Sequence, residues 1–285
     1  MKRVLITGAN SYVGTNVEKW LMKEPENFYV ETLDMRDPNW KNFDFSKFDV
    51  VFHVAGIAHV STKKSMKDLY FKVNRDLTIE TAIKAKESGV EQFIFMSSMI
   101  VYNSKETRIT KETKPNPDNF YGLSKLQAEE GIFPLQSDTF NVVVLRPPMI
   151  YGPGSKGNFS KLVKLSKRLL IIPNYLNKRS SLYIMNLCIF IKEYVETEVH
   201  GLFFPQNNEY YSLVAVIEYS RKFQHKKCLK LSLFNQIIGF MVNRIRIMKK
   251  ILGDFYYDNQ LITNNDLVTL KDSLESTLRS MIENE

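Results

Sequence analysis

Two hydrophobic rhythms alternate along the first 150 residues. Short, nearly unbroken apolar runs predict strands: "RVLIT" at 3–7, "FYVETLD" at 28–34, "VVFHVA" at 50–55, "QFIFMS" at 92–97 and "NVVVLR" at 141–146. Between them apolar residues recur at helical spacing. Val13, Val17, Trp20 and Leu21 make one such face, a longer pattern fills 65–88 and is closed by Gly89, and a third runs through "NFYGLSKLQAEEG", capped by Asn119 and ended by Gly131 and Pro134. Strands that alternate with helices pair in parallel through right-handed crossovers, and strands apolar on both faces need cover on both. The expected class is α/β, with a doubly wound parallel sheet in residues 1–150.

Beyond residue 150 the rhythm loosens. The pattern predicts a helix near 158–170, a segment near 180–195 that returns to the sheet, and a last amphipathic helix near 265–282. Taken together, 151–285 are expected to form mainly a smaller substrate-binding lobe. Residues 231–252 are apolar but carry Arg244, Arg246, Lys249 and Lys250, which leaves two readings open. One is a helix lying on a membrane surface; the other, the expectation here, is a lobe element with its apolar face packed and its charges solvated.

Composition narrows the classes. A chain of 285 residues, 44% of them hydrophobic, can bury a sizeable core. Its net charge of +8 is uneven: residues 151–252 hold 17 basic against 5 acidic side chains, a net of +12, while 1–150 carry +1 and 253–285 carry −5. A basic second half suits an anionic small substrate such as a nucleotide diphosphate, a nucleic-acid backbone or an acidic membrane surface, and charge alone does not choose among them. The opening "MKRVLITGAN" has only a four-residue apolar run before Gly8, so a cytoplasmic protein without an integral membrane segment is expected. Cys188 and Cys228 lie far apart and read as reduced structural thiols, and the four scattered histidines have no metal-ligand spacing.

Candidate chemistry starts at "TGANSYVG", residues 7–14, directly after the first strand and opening the first helix. A turn there needs glycine where backbone approaches a pyrophosphate and where helix packs on sheet, and the helix N-terminus then faces the phosphates. Gly8 and Gly14 suit those roles, with Asn10, Ser11, Tyr12 and Val13 as further cofactor contacts; Ser11 stands where a strict pattern has glycine. Asp34 closes the second strand 20 residues past Gly14, placed to accept hydrogen bonds from an adenosine ribose, which favours NAD over NADP. Arg36, two residues on, keeps a 2′-phosphate within reach. Tyr121 and Lys125, four apart, project from one helical face.

"TGANSYVG", "FHVAG", "SSMIVY", "YGLSK" and "LRPPMIYGPG" occur in one order with sensible gaps. Together they resemble the extended short-chain dehydrogenase/reductase family, of the NAD-dependent epimerase/dehydratase type, over at least the first 200 residues. The resemblance implies a Rossmann-type core, NAD as cofactor, a UDP-sugar as substrate and a homodimer, with no nucleic acid as partner. It implies Tyr121 as acid/base, Lys125 as its helper and Ser98 as the third catalytic member. A nearby ammonium and the positive nicotinamide are expected to lower the Tyr121 pKa from its ordinary value near 10. Ala55 and Gly56 match a loop under the cofactor, Asn74 a supporting asparagine behind the lysine, and Asn158 and Arg179 residues that contact the nucleotide diphosphate. In related enzymes the cofactor takes hydride from a sugar hydroxyl while tyrosine takes the proton, the ketone turns over, and hydride returns to its other face.

Met99 and Ile100 stand where the related dehydratases carry Asp-Glu, and neither can move a proton. The expected function is a nucleotide-sugar 4-epimerase acting on a UDP-hexose or UDP-N-acetylhexosamine in surface polysaccharide synthesis. Two alternatives stay open: an NAD(P)H-dependent 4-ketoreductase, and a non-catalytic, cofactor-binding interaction protein.

Overall fold

The computed structural model describes all residues except 59–63, 156–157, 167, 234, 246–247, 250–251, 263–269, 271 and 284–285. Its centre is a six-stranded, wholly parallel sheet. The strands are β1 (Lys2–Thr7), β2 (Phe28–Leu33), β3 (Val50–His53), β4 (Gln92–Met96), β6 (Asn141–Leu145) and β10 (Gly201–Phe203). They lie in the order β10-β6-β4-β3-β1-β2. The short β5 (Arg108–Ile109) falls outside this sheet.

Residue alternation explains the two covered faces. Val4, Ile6, Val50, Phe52, Ile94, Val143 and Leu145 point to one side, where α1 (Tyr12–Leu21) and α6 (Ile184–Glu196) bring Val17, Leu21, Leu187 and Ile191. Leu5, Val51, Phe93, Phe95, Val142 and Val144 point to the other, where α3 (Leu77–Glu87) and α4 (Phe120–Ile132) bring Ala82, Ala85, Ala128 and Ile132. Each fully buried Leu, Ile or Phe side chain there contributes about 1.5–3 kcal/mol of apolar transfer. Of the segment expected near 180–195 to return to the sheet, α6 packs on its face, and the strand that rejoins it, β10, lies beyond that range.

The predicted helix over 65–88 is a composite: α2 (Lys67–Tyr70), a π-helical stretch at Phe71–Asp76, then α3. Gly89 closes it at φ +80°, as a C′ glycine should. Gly131 does not end α4. The helix runs through it to Ile132 and continues as a 3₁₀ turn, Phe133–Leu135, that contains Pro134. A β-carbon at Gly131 would collide with Ile79 of α3, so this glycine lets two helices approach.

Among the described residues the remainder holds three two-stranded parallel pairs. β7 (Met149–Tyr151) pairs with β9 (Ser181–Tyr183), β8 (Ile171–Pro173) with β11 (Leu229–Leu231), and β5 with β12 (Tyr256–Tyr257). Around them lie helices α5 (Asn158–Ser166), α7 (Leu213–Phe223) and α8 (Asn235–Arg244), a short helix at Asn259–Ile262 and a last helix, Leu274–Glu283. That helix starts later than the expected 265, and 263–269 lie outside the described residues. Residues 231–252, expected to pack their apolar face, do so in part among the described residues: Val242 is buried and Ile238 and Met241 half-buried, while Leu233, Phe240 and Ile245 are exposed.

Candidate active site

The strand order reverses between β1 and β3, and in open α/β sheets ligands bind at the carboxyl ends beside that point. Gly8 sits there at φ +115°, and a β-carbon on it would lie 2.8 Å from the Ala55 nitrogen. Only glycine serves at such a position. Asn10 follows in the left-handed region at φ 62°, which asparagine tolerates. Ser11 then caps α1, its Oγ accepting from the Gly14 amide at 3.0 Å. A β-carbon at Gly14 would fall 2.7 Å from that Oγ and 3.2 Å from the Gly8 carbonyl. This tight, capped turn at a helix N-terminus suits a dinucleotide pyrophosphate.

Tyr12 and Val13 begin α1 and pack against the core. The Tyr12 hydroxyl is buried with no hydrogen-bond partner among the described residues, and burial pushes its pKa up. Asp34 follows β2 and is held by Arg36 through both guanidinium and backbone: Arg36 Nη2 donates to Oδ2 at 2.7 Å and Arg36 N to Oδ1 at 3.0 Å. Those hydrogen bonds depress the Asp34 carboxyl to about 2. The aspartate expected to meet a ribose is therefore ionised and already engaged by the arginine expected to meet a 2′-phosphate.

The catalytic candidates meet one strand further on. Ser98 follows β4 and caps a 3₁₀ turn, Met99–Val101. Asn119 caps α4 by accepting from the Gly122 amide at 2.9 Å, which sets Tyr121 in the first turn and Lys125 one turn deeper. Tyr121 keeps part of its surface open, but its surroundings are dense enough that desolvation pushes the phenol up to about 12, against a hydrogen bond with Ser98 that pulls it down. The protein's own groups therefore shift Tyr121 opposite to the expected direction. Burial dominates because Lys125 is turned to another partner: its Nζ donates to the Met96 carbonyl at 2.7 Å and lies 4.6 Å from the Phe95 ring centre. Lys125 is 5% exposed, and desolvation lowers it to about 7, with the Glu129 carboxylate opposing.

Asn74, in the π-helical stretch, is fully buried and ties the cofactor loop to α4. Its Oδ1 accepts from the Ile57 amide at 2.8 Å, and its Nδ2 donates to the Ile57 carbonyl at 3.0 Å and to Ser124 Oγ at 3.1 Å. A β-carbon at Gly56 would lie 3.0 Å from Asn74 Oδ1 and 3.3 Å from Lys125 Nζ. Ala55, Gly56, Asn74 and Lys125 thus form one cluster. A π-bulge here fits the tendency of such bulges to fall at functional sites.

The diphosphate candidates lie on the lobe. Asn158 begins α5, but its side chain is outside the described residues. Arg179 bridges to Tyr211 and Phe255 through its backbone and donates from Nη1 to the Gly253 carbonyl at 2.8 Å. Tyr211 also contacts Phe159, so Arg179 and the start of α5 share one aromatic layer.

Sequence reading missed a buried ionic network beneath the site. Glu129, one turn past Lys125, accepts from Arg146 Nη2 at 2.5 Å and from Ser97. Arg146 Nη1 donates to the Tyr102 hydroxyl at 2.8 Å, and Tyr257 donates to the Arg146 carbonyl at 2.7 Å. Burial works against the Arg146 charge, yet the Glu129 carboxylate holds that guanidinium above its ordinary value. The spacing Tyr121, Lys125, Glu129 was the available signal. His53 was also missed as a core residue: its ring lies between Thr7 Oγ1 at 2.7 Å and Thr78 Oγ1 at 3.1 Å, and burial, then Lys125, lowers it to about 3.

Comparison with known proteins assigns the family and the fold. A model of the NAD dependent epimerase/dehydratase family matches residues 4–192. The chain belongs to that family. It is 33% identical over 211 residues to a UDP-glucose 4-epimerase of Vibrio cholerae, covering 65% of this chain and 64% of that one. It is 29% identical over 206 residues to the N-acetyl-alpha-D-glucosaminyl-diphospho-ditrans,octacis-undecaprenol 4-epimerase of Escherichia coli O157:H7, covering 66% of this chain and 62% of that one. These matches span just under two thirds of the curated relatives' lengths. In fold it is similar to the UDP-glucuronic acid 4-epimerase of Bacillus cereus solved with NAD, at TM-score 0.77 and 20% identity over 99% of this chain and 96% of that one. NAD is the cofactor of the family, and the capped glycine turn, Asp34 and the Gly56–Asn74–Lys125 cluster fit it.

Proposed function

We propose that the protein is a NAD-dependent 4-epimerase of a nucleotide sugar, a UDP-hexose or UDP-N-acetylhexosamine, in the synthesis of surface polysaccharide. The reading further makes it a cytoplasmic homodimer. The observation that carries the chemistry is the meeting of Ser98, Tyr121 and Lys125 at the carboxyl end of β4. NAD, when bound, supplies hydride acceptance and return together with a positive charge beside the phenol.

Tyr121 takes the proton of the sugar 4-hydroxyl and later gives it back. Because burial alone favours the neutral phenol, the proton acceptor forms only when positive charge is close. Ser98, hydrogen-bonded to Tyr121, orients the sugar hydroxyl and shares the proton. Lys125, half protonated near pH 7, supplies a donor on the ribose side. Met99 and Ile100 next to Ser98 cannot move protons at neighbouring carbons, which supports epimerisation over dehydration. Arg179, in the aromatic layer with Tyr211 and Phe159, is the proposed diphosphate contact.

One observation favours a second reading, a 4-ketoreductase using NAD(P)H. Arg36 already neutralises Asp34, so the repulsion that would exclude a 2′-phosphate is weakened. Incubating the purified protein with a panel of UDP-sugars, following sugar identity and the reduced-nicotinamide absorbance, separates the two. Interconversion without net nicotinamide change is the expected result; stoichiometric oxidation of NAD(P)H on a keto sugar would make it a reductase. Binding without turnover of any sugar would leave a non-catalytic interaction protein.

A further inference from the structure

The basic lobe carries an apolar surface that the epimerase chemistry does not use. Leu170, Ile171, Leu176, Leu229, Leu233 and Phe240 are between 57% and 82% exposed. They are not scattered. Ile171 and Leu229 are register partners across β8 and β11, and the Leu229 amide donates to the Leu170 carbonyl at 2.9 Å. The Leu233 turn is tied to the 174–176 loop by Asn174 Nδ2 donating to Ser232 Oγ at 3.2 Å and Asn235 Nδ2 donating to the Asn174 carbonyl at 3.0 Å. Gly239 of α8 faces the Tyr175 ring, so the turn of α8 that carries Phe240 lies against the same loop.

Basic side chains border this surface. Arg221 donates from Nη1 to the Ser166 carbonyl at 3.0 Å and from Nε to the Lys227 carbonyl at 3.1 Å, so the turns holding Arg168 and Lys226–Lys227 lie side by side. Arg168, Lys226 and Lys227 are exposed, as is Lys164 in the last turn of α5, and Leu170 and Leu229 follow these turns directly. Arg244 lies over the exposed Phe240 ring at 5.4 Å. Contiguous exposed apolar patches of this kind mark interaction surfaces.

We propose that this face docks on the surface of an anionic lipid bilayer. The combination decides the occupant, since neither a nucleic-acid backbone nor a soluble anion would cover the exposed leucines and Phe240: apolar groups enter the headgroup boundary while the bordering Lys and Arg meet lipid phosphates. Among the described residues no helix is long and apolar enough to cross a membrane, so the contact is peripheral. Docking is independent of which sugar is turned over.

Sedimentation with vesicles of phosphatidylcholine alone, or mixed with phosphatidylglycerol, tests it on the full chain. The expected result is at least tenfold greater binding to the anionic vesicles, reversed by 0.5 M salt and lost by at least tenfold in Leu233→Glu/Phe240→Glu. That variant should keep the parent's unfolding temperature and its turnover of soluble substrate. Equal binding to both vesicle types, or none to either, overturns the proposal. So does a concentration-dependent self-association that the double variant abolishes while vesicle binding stays unchanged, since the face would then join two copies of this chain.

Discussion

Phe52, Phe93 and Phe95 in the parallel sheet are wholly buried, whereas Leu170, Leu233 and Phe240 in the basic lobe lie mostly in solvent. The sheet is covered by helices on both faces, so its apolar residues are used up in folding and what remains at its carboxyl edge is chemistry. The lobe is assembled from strand pairs of two or three residues and short helices, which leave an apolar surface uncovered. Charge divides the same way, near neutral in 1–150 and strongly positive in 151–252. Reaction and recognition are thus carried by regions with different physical constraints, and substitutions in the two should have effects of different size and kind.

The sharpest break is Tyr121→Phe. It removes one hydroxyl, keeps the ring against Tyr70, and should lower turnover by roughly 10²–10⁴-fold, the usual worth of a positioned acid/base group. Full activity in the UDP-sugar assay would refute the mechanism.

Next is the ionic network beneath the site. Glu129→Gln leaves Arg146, 5% exposed, with the Tyr102 hydroxyl but without its carboxylate. Breaking a buried pair from one side costs about 3–5 kcal/mol, measurable by urea unfolding. It also removes the group that raises Lys125, whose pKa should fall further below about 7. A stability change no larger than that of an exposed substitution would mean the pair is not the clamp described.

What was legible in the sequence follows from distance along the chain. Tyr121 and Lys125 share a helical face and Gly8 opens a turn, so local pattern located those two features, while Ser98, just past a strand, was placed by the family resemblance. The i,i+4 rule also points from Lys125 to Glu129, but the partners Arg146 and Tyr257 lie 17 and 128 residues beyond Glu129, and nothing local announces them. The parallel pairs of the lobe were invisible because two or three residues make no period. Residues 231–252 are packed at Val242 but open at Leu233 and Phe240, a split the sequence does not show because amphipathic spacing does not say whether the partner is protein or something else. Gly131 looked like a stop because a glycine that lets helices approach and one that ends a helix are spelled alike.

A smaller effect separates the halves by pH. Burial brings the Lys125 pKa to about 7 in the folded chain, against its ordinary value of 10.5. Between those values the unfolded chain binds more protons, so this group makes stability rise with pH across the window. Below about pH 7 both states are protonated and the full cost of the buried ammonium is present. The slope approaches about 1.4 kcal/mol per pH unit. Urea unfolding from pH 7 to 9.5 should show this rise in the parent and lose it in Lys125→Met. Tyr121, raised to about 12, changes stability only above pH 10 and so does not mask it.

The smallest expected change is the most direct test of the contrast. Leu170 is 71% exposed just before β8, so Leu170→Ser should alter unfolding by no more than about 0.5 kcal/mol, the range of surface substitutions. Phe52→Ala, in β3 and fully buried, should cost about 3–5 kcal/mol by opening a cavity between the sheet and its helices. Measured side by side in urea, a large gap means the apolar surface of the lobe is spare as far as folding goes. A cost at Leu170 comparable to Phe52 would mean the strand pair depends on that side chain, and the distinction between a folded-in sheet and an outward-facing lobe would fail at β8.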